Sequence, residues 1–249
     1  YGLVLVTGPT GSGKSTTLYA TLGDVAKPEI NIITVEDPVE FRMRGINQVQ
    51  VNNKAGMTFA AALRSILRAD PDVVLIGEIR DQETANIAIE ASLTGHLVLS
   101  TLHTNDAPSA VTRLTEMGVE PFLLSSSLAA VMAQRLARRL CKKCKRQDTA
   151  TEAELRTLGV PHMPDTPLPT IWRPVGCREC ANTGYSGRVA IQQVMGVDST
   201  MEDLIARGAT SIDIDKAAKE QGMTTLRKDG WQKALQGITS VEEVLRVTV

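Results

Sequence analysis

The chain has 249 residues, 43% of them apolar and 3% aromatic, and a net charge of −1. That length holds one large domain or a core with a smaller appendage, and the apolar share is ample for a buried core, which excludes long-range disorder. Near-neutral charge and scarce aromatics argue against a dedicated nucleic-acid surface; no apolar run reaches the ~18 residues that span a bilayer, and no signal peptide precedes the first strand.

Tyr1-Gly2 leads straight into an apolar run with no initiator Met, so the chain reads as a piece whose N-terminal part lies elsewhere. The first ~140 residues alternate short β-rich runs with helical patterns, the signature of a parallel sheet with crossover helices. Strands are expected at Leu3–Thr7, Ile30–Val35, Val73–Ile76 and His96–Leu102. A helix over Thr58–Arg68 puts Phe59, Leu63, Ile66 and Leu67 on one face, and Asp70-Pro71 stops it. A second runs from Gln82 to Leu93 with Asp81 as N-cap and Gly95 at its end. A third starts near Ala107 and ends at Gly118, and a fourth spans Pro121 to Leu140. Composition changes at Cys141: basic residues crowd a cysteine pair, and Pro161, Pro164, Pro167, Pro169 and Pro174 mark an ordered to semi-ordered loop. After Val189 the pattern is helical again, ending in Ser240–Val247.

Between the first strand and its helix lies GPTGSGKSTT, residues 8–17. Gly8, four residues, then Gly13-Lys14-Ser15 is the phosphate-loop spacing. Backbone N–H groups of Gly8, Thr10, Gly11, Ser12, Gly13 and Thr16, with a helix N-terminus behind them, form an anion cradle. Lys14 reaches the outer phosphates and the Ser15 hydroxyl is set for Mg²⁺. Such a loop needs a partner acid. The buried run Asp72–Ile76 ends in Gly77-Glu78, with glycine where the usual acid of that strand stands and Glu78 one place later. Glu78 can hold Mg²⁺ through water or orient an attacking water. Glu36, with Asp37 and Glu40 behind it, follows the strand Ile30–Val35 and can polarise a water nucleophile; a simple Asp-Pro turn is the alternative. His96 and His103 flank one strand, so only His103 reaches the C-terminal edge where the phosphate sits; His96 reads equally well as a satisfied structural histidine.

Four blocks in this order, GPTGSGKSTT, ITVEDPVEF, DPDVVLIGEIRD and TGHLVLSTLHTNDA, resemble the secretion ATPases of type II secretion and type IV pilus assembly. In that family they are the Walker A, Asp, Walker B and His boxes, and the resemblance extends to GITSVEEVLRVT at the C-terminus. It implies an α/β, RecA-like P-loop core over 1–140, a tetracysteine zinc subdomain over 141–190 and a C-terminal helical subdomain over 191–249. It implies an ATP- and Mg²⁺-dependent hydrolase working as a homo-hexamer at the cytoplasmic face of the inner membrane, with a membrane platform protein and cytoplasmic-facing assembly proteins as partners and no nucleic acid. Carried over by residue, Lys14 and Ser15 hold nucleotide and Mg²⁺, Glu36 and Glu78 serve hydrolysis, and His96 and His103 form the His box. Arg64 and Arg68 match family arginines implicated in activity; their spacing puts them on one helix face, where they meet a phosphate, an acidic neighbour or solvent. The family's N-terminal arginines have no counterpart in the chain.

Cys141-x-x-Cys144 and Cys177-x-x-Cys180 offer four thiolates to one tetrahedral ion, which predicts structural Zn²⁺; reduced thiols that ligate nothing are the alternative, ahead of a disulfide pair. Pilus-extension and type II secretion members carry such a motif and retraction members generally lack it; the stretch Gly184–Arg188 followed by VAIQQVM leans toward pilus assembly. The basic run Arg135–Arg146 faces acidic lipid, the platform protein or only solvent. Two further readings stand against the motor: a nucleic-acid motor on the same core, which charge and aromatics oppose, and a regulatory nucleotide-binding module without turnover, which the acid and His boxes oppose.

Overall fold

A computed structural model describes residues 1–163 and 165–248, so Pro164 of the proline-rich stretch lies outside the described residues. The chain forms two compact units: residues 1–133 with 194–223, and residues 134–193 with 224–249. The resemblance implies bounds at 140/141 and 190/191; the two compact units divide at 133/134, 193/194 and 223/224.

In chain order the first unit carries β1 (Gly2–Thr7), α1 (Lys14–Val25), β2 (Ile32–Glu36), β3 (Asn47–Gln50), α2 (Phe59–Ile66), β4 (Val73–Ile76), α3 (Gln82–Leu93), β5 (Leu97–Leu102), α4 (Pro108–Glu116) and α5 (Pro121–Ser127). Then come β6 (Leu128–Leu140), which runs on into the second unit, β7 (Arg146–Thr149), α6 (Glu152–Leu158), β8 (Thr170–Arg173) and β9 (Tyr185–Gly196), which runs back. Helices α7 (Ser199–Ala206) and α8 (Ser211–Glu220) belong to the first unit, and α9 (Leu226–Leu235) and α10 (Val241–Val247) to the second.

The main sheet has the order β3-β2-β4-β5-β1-β6-β9. From β3 through β6 every pairing is parallel, for example Val35 with Ile76, Ile76 with Ser100, Thr7 with Leu102, and Leu5 with Val131. Parallel strands are covered on both faces, so β2 and β4 are buried without alternation. Helix α2 begins because Thr58 accepts from the Ala61 N–H and buries Phe59, Leu63 and Ile66 on one side; α3 begins at Asp81, which accepts from Thr84 at 2.8 Å.

Two expectations are corrected. The segment expected as one helix from Pro121 to Leu140 is helical only to Ser127, where Ser125 and Ser127 turn their hydroxyls back onto the carbonyls of Phe122 and Leu124. Leu128–Leu140 is then a 13-residue strand, because the free edge of β1 needs a ladder partner. Its helix-forming Leu, Ala, Met, Gln and Arg residues lose to that pairing. In the same way β9 extends to Gly196, past the point where a helical pattern was expected. Strand β3 was not anticipated at all: Asn47-Gln48-Val49-Gln50 is polar and sits at the sheet edge.

The second unit packs its own core of Ala137, Leu155, Leu158, Ile171, Ile191, Trp231, Val241 and Val244. Helices α9 and α10 meet at Gly230, where a methyl group would stand 2.6 Å from a Val244 methyl, so no larger residue fits. One ionic hub in this unit centres on Glu243. Glu243, 1% exposed, accepts from the Arg138 backbone N–H and from the guanidinium groups of Arg138 and Arg246, each at 2.7–2.8 Å. Arg138 also lies over the Tyr185 ring at 4.1 Å, and Tyr185 shares a hydrogen bond with Ser240, the α10 cap. Burial would raise the Glu243 carboxyl, but the two arginines outweigh it and bring it down from 4.5 to about 2. A carboxyl lowered in this way stabilises the fold above its unfolded value, and that contribution is lost as pH falls from about 4.5 to about 2. Replacing Glu243 with Gln should lower stability at pH 7 by about 2–3 kcal/mol, less than the loss for a fully buried pair because both arginines are half exposed. The urea midpoint of the variant should also fall less steeply than the parent's across that acid window, where Glu154 and Asp148, lowered by Arg173, still titrate.

Candidate phosphate-binding site and cysteine cluster

The parallel register brings the C-terminal ends of β1, β5, β4 and β2 to one sheet edge. From β1 the chain enters the glycine loop, where Gly11 and Gly13 have φ of 79° and 86°, values a side chain would resist. Gly13 caps α1 without any side-chain cap, so the first turn of a 12-residue helix opens into the loop. The Lys14 ammonium donates to the carbonyls of Gly8 and Pro9 at 2.9 and 3.2 Å, folded across the cradle that its neighbours Thr10, Ser12, Ser15 and Thr16 line. Glycines with left-handed backbone, a lysine over the loop and a helix N-terminus behind it suit the phosphates of a nucleotide.

Next to β1, β5 ends at Leu102 and exposes His103. Thr7, fully buried at the end of β1, donates to the Leu102 carbonyl at 3.1 Å and accepts from the Thr104 N–H at 2.9 Å; the two threonine hydroxyls share a 2.6 Å bond. The loop after β5 is thereby fixed to the entrance of the glycine loop. Beyond β5, β4 ends at Ile76. Gly77 donates to the Val35 carbonyl at 2.7 Å, its own carbonyl accepts from Thr101, and a methyl there would stand 3.4 Å from Glu36 Cα. Glycine at this place lets the ends of β4 and β2 close up. Glu78, mostly buried, pairs with Arg80 and lies 3.5 Å from His103 Nε2. The pairing with Glu78 holds the Arg80 guanidinium above its ordinary value.

At the end of β2, Glu36 is 4% exposed. One carboxylate oxygen accepts from the Tyr19 hydroxyl; the other accepts from Thr34 at 2.6 Å and Gln48 at 3.2 Å.

The structure thus gathers the glycine loop, His103, Glu78 and Glu36 on one edge. It does not bring His96 there. His96 stands just before β5 at the opposite edge, its ring nitrogen on the Ala91 carbonyl at 2.8 Å and its own carbonyl on the Gly2 N–H. Arg64 stands on α2 paired with Glu83 in the first turn of α3, the acidic neighbour among the expected alternatives. Arg68 is exposed on a 3₁₀ turn, Leu67–Ala69, beyond the end of α2, so the two arginines do not share one helix. Sequence reasoning passed over Arg80, although its place in GEIRD, two residues past Glu78, put it within reach. It also passed over Tyr19, Gln48 and the Thr7–Thr104 pair, which no motif marks.

In the second unit, the sulfurs of Cys141, Cys144, Cys177 and Cys180 all lie within 4.8 Å of one another. Cys141–Cys177, Cys144–Cys180 and Cys177–Cys180 are 3.9, 3.8 and 3.8 Å apart. These distances are far beyond a disulfide and match the ~3.8 Å edge of a tetrahedron with 2.3 Å metal–sulfur bonds. Burial would raise the Cys180 thiol, but N–H groups of Cys177 and Gly184 at 3.2 Å outweigh it and hold it below the usual thiol range. Gly176 N–H donates to Cys144 at 3.3 Å, but there burial and the neighbouring thiols outweigh it and push the Cys144 thiol up to about 11. The four thiols could hold one tetrahedral metal ion.

A doubly wound parallel sheet with a glycine loop at the end of a central strand and acids at neighbouring strand ends defines an α/β P-loop fold of the RecA-like kind. The same fold is seen in the crystal structure of the pilus retraction motor PilT with bound ADP, which aligns with 99% of this chain and 61% of its own at a TM-score of 0.73 and 28% identity. The family model described as Type II/IV secretion system protein matches residues 1–246, and the chain belongs to that family. It is 53% identical to the type II secretion system protein E of Aeromonas hydrophila over 248 residues, 100% of this chain and 49% of that protein. It is 52% identical to the type IV pilus assembly ATPase PilB of Thermus thermophilus over 249 residues, 100% of this chain and 28% of that protein. The chain therefore spans about half the length, or less, of these curated relatives.

The Thr7 clamp has a measurable weight. Thr7→Val leaves the Thr104 N–H without its acceptor and should lower stability by about 1–3 kcal/mol in denaturant titrations, with faster amide exchange at Thr104.

Proposed function

We propose that the chain is the ATP-hydrolysing domain of a motor that drives type IV pilus assembly or type II secretion. The observation that carries this reading is the common sheet edge shared by the Lys14 loop, Glu78 and Glu36. On this reading the loop N–H groups and Lys14 bind the β- and γ-phosphates of ATP. Ser15, the first-turn hydroxyl, and Glu78, a mostly buried carboxylate, are the groups that would hold Mg²⁺, which supplies charge neutralisation at the phosphates. Glu36 orients and polarises the attacking water. His103, 3.5 Å from Glu78, holds that carboxylate toward the phosphate side. The four thiols hold structural Zn²⁺ as a staple of the second unit.

Identity near 53% to both an E protein and PilB supports the shared motor role and does not separate its two branches. The resemblance carried by the four sequence blocks adds to this reading a homo-hexamer at the cytoplasmic face of the inner membrane, passing its stroke to a membrane platform protein. A net charge of −1 and 3% aromatics disfavour the nucleic-acid motor.

The full-length protein with Glu78→Gln should keep nucleotide binding while ATP turnover falls about 100-fold or more. Unchanged turnover would overturn the reading, as would stimulation by DNA rather than by lipid or platform protein. Elemental analysis should find one Zn²⁺ per chain, and Cys180→Ser should lower both metal content and melting temperature.

A further inference from the structure

The buried carboxylate at the end of β2 is held by an arrangement that the motifs do not account for. Glu36 offers about four acceptor sites on two oxygens. Thr34 and Gln48 occupy both sites of one oxygen, and Tyr19 occupies one site of the other. A single acceptor site is left, on the oxygen that Tyr19 holds. Tyr19 is itself buried, and it lies on α1, the helix whose first turn is the phosphate loop. Its hydroxyl accepts from the Glu40 N–H at 3.3 Å while donating to Glu36, and its ring meets Phe41 edge-on at 4.4 Å between centroids. The segment after Glu36 is thereby folded over the tyrosine.

We infer that Tyr19 is a positioning residue for hydrolysis: it ties Glu36 to the phosphate-loop helix and turns the one remaining acceptor site of that carboxylate toward the water. Tyr19 lies five positions after Lys14 on one rigid helix, about 7.5 Å of rise. Any shift of α1 when phosphate fills the loop is therefore passed directly to the carboxylate. Burial and the Glu36 hydrogen bond push the Tyr19 phenol up to about 12, so it stays a donor throughout the working range. Thr34 and Gln48 lie on β2 and β3 and cannot supply this link, because neither moves with the loop.

The inference rests on the hydrolytic reading of Glu36, and the test separates the two. In the full-length assembled protein, four forms are compared: the parent, Tyr19→Phe, Glu36→Gln and the double variant. Tyr19→Phe keeps the ring against Phe41 and removes only the hydroxyl. It should lower kcat about 10-fold, the weight of one charge-assisted hydrogen bond, with ATP KM within about 2-fold and the melting temperature little changed. In the Glu36→Gln background the same change should cost less than about 2-fold, because the group through which it acts is gone. Equal losses in both backgrounds would make Tyr19 merely structural and overturn the inference, as would full turnover in Tyr19→Phe. Full turnover in Glu36→Gln would remove the hydrolytic reading first, and the inference with it. If Tyr19→Phe melts early, Thr34→Val supplies the contrast: it removes a donor that does not ride on α1, so it should slow turnover less than Tyr19→Phe does at equal stability.

Discussion

Parallel pairing with matched strand ends is the constraint from which the rest of the first unit follows. Thr7 stands opposite Leu102, Ile76 opposite Ser100, and Val35 opposite Ile76. A parallel ladder forces all carboxyl ends to one side. The chain then needs only to turn there, and each turn delivers its side chain to the same place: a lysine loop, a histidine, two glutamates. Slipping any strand by one residue would point its terminal carboxylate to the other face. Buried threonines and serines guard against that slip. Thr7, Ser100 and Thr101 each bond a carbonyl or hydroxyl of the neighbouring strand or loop.

Burial sets the character of the two acids. Glu36 is almost fully enclosed and held by three donors, whereas Glu78 is more open and faces one arginine and one histidine. An enclosed carboxylate with fixed donors has little freedom to swing, which suits aiming a water. An acid paired with exposed cations can exchange partners, which suits a metal ion.

Much of this was legible in the residues. Strands β1, β2, β4 and β5 announce themselves as short apolar runs bounded by Gly, Pro and Asp, and the glycine loop announces the ligand. Asp81 and Gly95 bracket α3 as expected. What sequence hid was decided by partners far along the chain. Leu128–Leu140 carries helix-forming residues, with Leu128, Val131, Gln134, Ala137 and Leu140 buried at three-residue steps that resemble a helix face. Only the edge of β1, more than 120 residues earlier, makes it a strand. Polar β3 has no apolar run to mark it. Tyr19 reads as one more apolar position of an amphipathic helix until Glu36 is brought beneath it. The cysteines were legible as a set of four by spacing alone, but the N–H groups that serve their sulfurs come from Gly176 and Gly184, which nothing in the spacing marks.

The chain passes three times between its two units, at 133/134, 193/194 and 223/224. Met201, Ile205, Ile214 and Ala218 belong to the same buried cluster as Leu3, Val35 and Ile76. During synthesis from the N-terminus, therefore, the nucleotide loop and all its acids leave the ribosome well before the core beneath them is complete. At roughly 5–20 residues per second, the interval between residue 133 and residue 223 is on the order of 5–20 seconds. For that time an apolar face stands uncovered, which makes this stretch of translation the moment when a chaperone has most to bind.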